Sequence, residues 1–167
     1  MPILTSAMAA AIDALVGLAG LELSDTEVVD GPLDDSDETS QTIKQRLFVG
    51  ASSATGDDES VAVDGDQNFR TIGGRRRDEN FNLHCIAEGW DGGRDMKAAR
   101  DRAVAVLAGV ELILRPSASN PAGYTVGGSV MWAGIGHEEM TQDKNETGYY
   151  CRIDFEIACR ANLIQTS

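Results

Sequence analysis

Aromatic residues are scarce in this 167-residue chain: four Phe, three Tyr and two Trp, 5% of the whole. Any core must therefore rest on Ala, Val, Leu and Ile. Basic residues are scarce too. Fourteen Lys and Arg stand against 27 Asp and Glu, a formal net charge of −13. Such a balance disfavours a protein that holds nucleic acid by neutralising phosphates. It does not disfavour a passage that DNA slides through without sticking. No Lys or Arg precedes Lys44, so the apolar run 3–21 lacks the positive start of a signal peptide. Asp13, Gly17 and Gly20 spoil the same run as a membrane span. The expectation is a soluble, cytoplasmic protein without membrane contact. Only three cysteines occur, Cys85, Cys151 and Cys159, with no CxxC pair. Each falls at an apolar-phase position of a predicted strand, which predicts buried free thiols; a disulfide would need two of those strands to be neighbours.

Hydrophobic residues at 42% and charged residues at 25% are ordinary for a globular fold, and the length suits one domain over 1–167. Charge is segregated along the chain. Residues 22–66 hold thirteen acids against two bases, whereas residues 70–115 hold nine bases against seven acids. The two regions can attract each other within a subunit or between neighbours.

Apolar spacing predicts a helix over 5–19, capped by Thr5 or Ser6 and ended by Gly20, with Met8, Ile12, Leu15 and Ala19 on one face. Short strands are expected at 25–30 and 43–50, and polar loops at 31–42 and 51–60. Both loops exceed what a compact domain needs, so they are expected to be functional. Residues 61–76 stay ambiguous, because Gly65, Gly73 and Gly74 interrupt Val61, Val63, Phe69 and Ile72. Phe81, Leu83, Cys85 and Ala87 alternate through a strand at 79–88. The clearest helix lies at 94–114, with a stripe of Met96, Ala99, Ala103, Val106, Leu107, Val110, Ile113 and Leu114, stopped by Pro116. A hairpin with arms at 129–140 and 148–160 follows, with polar tip 141–147 and Cys151, Ile153, Phe155, Ile157 and Cys159 inward. The fold class is α+β: a mixed or antiparallel sheet, helices on one face and a long C-terminal β-hairpin.

Candidate chemistry is thin. His84 and Cys85 are adjacent on a strand and so point to opposite faces, which prevents them from acting as a pair. The acidic runs with Asp34, Asp35 and Asp37, and with Asp57 and Asp58, do not follow EF-hand spacing. The Gly pairs at 73–74, 92–93 and 127–128 fit no phosphate-cradling motif. No catalytic residue, metal site or cofactor is expected; a small enzyme using Cys85 or Cys151 is the remaining chemical alternative. The cluster Arg75, Arg76 and Arg77 is either a solvated turn or an ion-pair patch facing the acidic loops of a neighbouring subunit, where Asp34, Asp35, Asp37, Asp57 and Asp58 would be its partners.

Five stretches carry a likeness in their order: VVDGPLDD (Val28 to Asp35) after the first helix, RLFVGAS (Arg46 to Ser52), RRRDENFNLHC (Arg75 to Cys85), GGRDMKAARDRAVAVLAGVELILR (Gly92 to Arg115) and YYCRIDFEIACRANL (Tyr149 to Leu163). Together they resemble the tail terminator family of long-tailed (siphovirus) bacteriophages, those of actinobacterial hosts in particular, over roughly residues 5–163. The Gly-rich segment 65–74 departs from the family pattern. The resemblance implies a virion protein of the tail and neck, assembled in the host cytoplasm. It would form a homo-hexameric ring on the last ring of tail tube (major tail) subunits. There it would stop polymerisation, present a surface to the head-completion (neck) protein, and leave a lumen for genomic DNA to pass without specific binding. It implies no catalytic residues. Another neck or tail component, a head–tail connector or the tube subunit itself, is the alternative; the helix at 94–114 speaks mildly against the tube subunit.

Overall fold

Two long antiparallel strands, β4 (Arg76–Asp91) and β6 (Gly148–Ile164), form the centre of the sheet and pair along their whole length, from Arg76↔Ile164 to Asp91↔Tyr149. The structure is a computed structural model that describes residues 5–32, 44–53, 60–70 and 76–164. β1 (Glu27–Asp30) runs parallel to β2 (Gln45–Val49), and β2 pairs antiparallel with the second half of β4. β3 (Val63–Phe69) takes the first half of that same β4 edge as a hairpin. β5 (Trp132–Asn145) closes the other side as the hairpin partner of β6. The sheet order is β1-β2-β4-β6-β5, with β3 in line with β2. The fold is α+β with a mixed six-stranded sheet, as expected.

Period-two alternation decides the two faces of the sheet. Phe81, Leu83, Cys85 and Ala87 of β4, and Cys151, Ile153, Phe155, Ile157, Cys159, Ala161 and Leu163 of β6, are all buried. Helix α2 (Met96–Leu114) covers them with Ala99, Ala103, Val106, Val110, Ile113 and Leu114. Burying each large apolar side chain is worth roughly 1.5–3 kcal/mol, and with so few aromatics the core gains by close approach. Gly89 makes that possible: a Cβ there would stand 2.1 Å from the Ala99 carbonyl oxygen of α2. Asp95 caps α2, its Oδ1 accepting from Lys97 N at 2.9 Å and Ala98 N at 3.2 Å. The turn before it is fixed by Asp91, which accepts from Asp95 N and from Arg102 Nη1. Those two donors hold the Asp91 carboxyl below the usual carboxylate range.

Helix α1 (Met8–Glu22) departs from expectation at both ends. Gly20 does not stop it; the last turn closes with Leu23 N donating to Ala19 O at 2.9 Å. Its fully buried line is Ala11, Leu15 and Ala19, with Met8, Ile12 and Val16 packed beside it. Neither Thr5 nor Ser6 is the N-cap residue, although Ser6 Oγ accepts from Met8 N at 3.1 Å. The helix start is anchored from the sheet instead. Glu79, 0% exposed, accepts from Ala7 N at 2.7 Å through Oε2 and from Gln67 Nε2 at 2.8 Å through Oε1. A carboxylate at a helix N-terminus is favoured by the exposed N–H groups and the helix dipole. The same Gln67 Nε2 also donates to Thr5 O at 2.8 Å, so α1, β3 and β4 are tied at one point.

Three further boundaries move. The ambiguous stretch 61–76 contains β3, a polar strand exposed nearly throughout. The strand expected at 79–88 extends over Arg76–Asp91. The C-terminal hairpin is longer than its apolar pattern, because its turn is only Glu146 and Thr147, organised by Asn145 Oδ1 accepting from Thr147 N and Gly148 N.

Candidate interaction surfaces

Between β2 and β3 the chain leaves and rejoins the edge of β4. Gly50 N and Ala51 N donate to His84 O, and His84 N donates to Ala62 O. The excursion is cinched at its neck: Ser52 N donates to Ser60 Oγ at 2.9 Å, and Val61 N donates to Ser52 Oγ at 2.9 Å. Ser53 reaches over the sheet face that carries no helix, giving Asp154 both its N–H and its hydroxyl at 2.8 and 2.7 Å. The acidic residues predicted as partners, Asp34, Asp35, Asp37, Asp57 and Asp58, and also Arg75, lie outside the described residues.

On that open face, one row of opposed residues crosses four strands with alternating charge: Glu27, Arg46, Glu88 and Arg152. Arg46 Nε lies 2.9 Å from Glu27 Oε2, and Arg152 Nε lies 2.6 Å from the buried Glu88 Oε2. A second row holds His84, with Nε2 at 2.6 Å from Asp64 Oδ2 and Nδ1 at 3.7 Å from Glu156 Oε1. His84 thus engages acids on the face opposite Cys85, as strand geometry requires. Among the described residues, no three His, Cys, Asp or Glu side chains converge to hold a metal ion.

All three cysteines are free and buried. Burial pushes the Cys85 and Cys159 thiols up to about 12 and raises Cys151 as well. A reactive cysteine needs the opposite environment, one that stabilises the thiolate. Although β4 and β6 are neighbours, no two cysteines face each other: Cys85 opposes Phe155, Cys159 opposes Phe81, and Cys151 opposes Gly89.

Of the predicted arginine cluster, Arg76 opens β4 and is exposed, and it makes no ion pair among the described residues. Arg77 donates to Gln67 Oε1 at 3.0 Å and lies over the Phe69 ring, 5.8 Å from its centroid. Phe69 is itself 70% exposed. Nearby, Arg70 Nε meets Asp78 Oδ2 at 2.7 Å. The end of the β3–β4 hairpin is therefore basic with an exposed aromatic ring.

The opposite end of the sheet carries an acidic arm, where the sequence pattern predicts an ordinary strand and polar tip. Ile135 opposes Ile157 but Glu138 opposes Phe155, so β5 holds one extra residue, a bulge at Gly136-His137. Beyond it every residue of β5 is exposed. Glu138, Met140 and Gln142 share the face of Phe155, Ile153 and Cys151 but gain no cover of their own. Residues 138–146 carry four acids, Glu138, Glu139, Asp143 and Glu146, against Lys144, and none of these forms an ion pair with another described residue.

Between the end of α2 and the start of β5 lies an open groove of about 430 Å³, lined by Leu114, Pro116, Tyr124, Trp132 and Ile135. Trp132 is 52% exposed. The loop beside it takes three successive left-handed residues, Val126, Gly127 and Gly128 at φ 48°, 65° and 82°. The buried Val126 is strained in that conformation and is held there by the core. Comparison of the whole chain with known protein families and with curated protein sequences finds no match. No helix among the described residues is long and apolar enough to cross a membrane.

Proposed function

We propose that this protein is a structural subunit of a bacteriophage tail, a terminator that closes as a hexameric ring on the end of the tail tube. There it stops tube polymerisation, offers its other face to a neck protein, and leaves a lumen through which DNA passes. One observation carries this reading: the outer half of β5 is an edge strand, exposed on both faces and with its outer edge unpaired among the described residues. An exposed edge of that length is a liability for a solitary protein, and folds retain one where another chain covers it. The acidic surface fits a lumen that must not hold phosphates. The order of sequence segments, which resembles that of tail terminators, supplies the particular assembly.

A tube subunit or head–tail connector would use a protruding hairpin in the same way. The two helices packed on one face weigh toward a capping subunit over a tube wall built mainly of strands. The deciding experiment adds purified protein to growing tubes of tail tube protein and images them by negative-stain electron microscopy. The expected result is closed rings on tube ends and arrested elongation. Tubes that grow unchanged, with bare ends, would refute the proposal, and open-ended tubes made by this protein alone would favour the tube-subunit alternative.

A further inference from the structure

The two hairpins point to opposite ends of the sheet and carry opposite charge. The β3–β4 hairpin ends at the Phe69↔Arg77 pair, and the β5–β6 hairpin turns beside Asp91, at the other end of β4. At about 3.3 Å per residue the two ends are roughly 45 Å apart. They therefore do not neutralise each other within one subunit, given a Debye length of about 8–10 Å.

We infer that the acidic outer half of β5 in one copy docks on the basic β3–β4 hairpin end of a second copy, head to tail. The inference rests on the ring reading above and names the contact that would build the ring. Glu138, Glu139 and Asp143 are exposed and form no ion pair with another described residue, Asp143 Oδ1 accepting only from Lys144 N; Arg77 holds its guanidinium over the exposed Phe69 ring, and the exposed Arg76 precedes it on the other face of the strand. Arg forks suit carboxylates, and the exposed Phe69 adds apolar contact for Met140, itself 45% exposed. The contact uses two different patches, so each docked pair still presents one free patch of each kind, as a closed ring or directed stack requires. Edge-to-edge strand addition along all of β3 is disfavoured, because the exposed Asp64 and Asp66 would face the acidic arm. That confines docking to the hairpin end.

The test is sedimentation velocity of the full chain at low and high salt, on the parent and two charge-reversed variants. One carries Glu138→Lys, Glu139→Lys and Asp143→Lys; the other carries Arg76→Glu and Arg77→Glu. The parent is expected to self-associate at low salt and about tenfold more weakly at high salt. Each variant alone is expected to associate about tenfold more weakly than the parent at low salt. An equimolar mixture of the two should recover association, because reversed arm then meets reversed hairpin while the native patches meet each other. Since Arg77 also bonds Gln67, the single variant Arg76→Glu is included and should weaken association in the same direction. A parent that stays monomeric at low salt, a variant that associates like the parent, or a mixture that fails to recover would each overturn the inference. The tube-end assay stands apart from this one: rings on tube ends combined with indifference to charge reversal would retain the ring and reject this contact.

Discussion

Replacing Glu79 by Ala tests how the first helix is held. The side chain is completely buried and both its oxygens accept hydrogen bonds, from Ala7 N and Gln67 Nε2. Bonds to a charged acceptor contribute about 1.5–3 kcal/mol each. Truncation also leaves the Ala7 N–H without its acceptor, while Gln67 Nε2 keeps Thr5 O. Loss of the favourable carboxylate at the helix start adds about 0.3–1 kcal/mol. The expected cost is about 3–5 kcal/mol, a large share of the roughly 5–15 kcal/mol that stabilises a domain. For a chain of this length that lowers Tm by about 6–20 °C in a calorimetric or circular dichroism melt. Glu79→Gln should recover only part of this. Both oxygens face donors, so an amide must turn its NH₂ toward one of them. Gln67 cannot flip to help, because its own Oε1 accepts from Arg77 Nη1. Amide hydrogen exchange should show faster exchange in α1 than in α2 in both variants. A Glu79→Ala melt within about 2 °C of the parent would refute the anchoring argument.

Two glycines should respond in opposite directions. Gly89→Ala places a methyl 2.1 Å from Ala99 O and 2.6 Å from Ala103 N; those are backbone atoms, so α2 must move, at about 1–3 kcal/mol or more. Gly20→Ala sits in the last turn of α1 with nothing within 4 Å and should raise stability by at most about 0.5–1 kcal/mol, the value for a helix interior; thermal melts of both variants check the pair of signs. The cysteines should be inert to alkylation at neutral pH in the native protein and react only on unfolding, as mass spectrometry of iodoacetamide adducts would show. Because folding raises the Cys85 thiol from about 9 to about 12, its contribution to stability is full below pH ~9 and lost as pH rises toward 12. Melts at increasing alkaline pH should therefore fall, and a Cys85→Ser variant that loses stability just as steeply would show that another group is responsible.

The apolar stripes of β4, β6 and α2 were legible because each element buries one face, and burial writes its period into the sequence. Every residue placed inward on those two strands is inward. Most of the misread boundaries fall where that rule stops applying. The α1 helix runs through Gly20 because Ala19 and Leu23 hold its last turn, and its true N-terminal partner, Glu79, is 72 residues away in sequence. Strand β3 left little pattern because it is exposed nearly throughout, and Gly65 is needed where the chain closes on Phe81, whose Cβ would lie 2.5 Å from an added methyl. A local reading of residues cannot detect a reason that lies in another strand.

The interaction surface follows the same logic in reverse. Arg76 and Arg77 stand out in the sequence as a charge run and lie at the end of a hairpin, whereas the loop acids expected to meet them, Asp34, Asp35, Asp37, Asp57 and Asp58, lie outside the described residues. The arm of β5 offers fewer acids, yet it has what sequence density does not convey: a two-stranded ribbon whose outer strand is exposed and, among the described residues, unpaired along one edge. The bulge at Gly136-His137 changes which residues lie on the helix side, putting Glu138 where alternation from Ala133 and Ile135 would put His137. Without the extra residue, His137, Glu139 and Thr141 would take that side instead. One inserted residue thereby decides which acids the arm presents on each face, and sequence periodicity, which assumes no insertion, cannot report it.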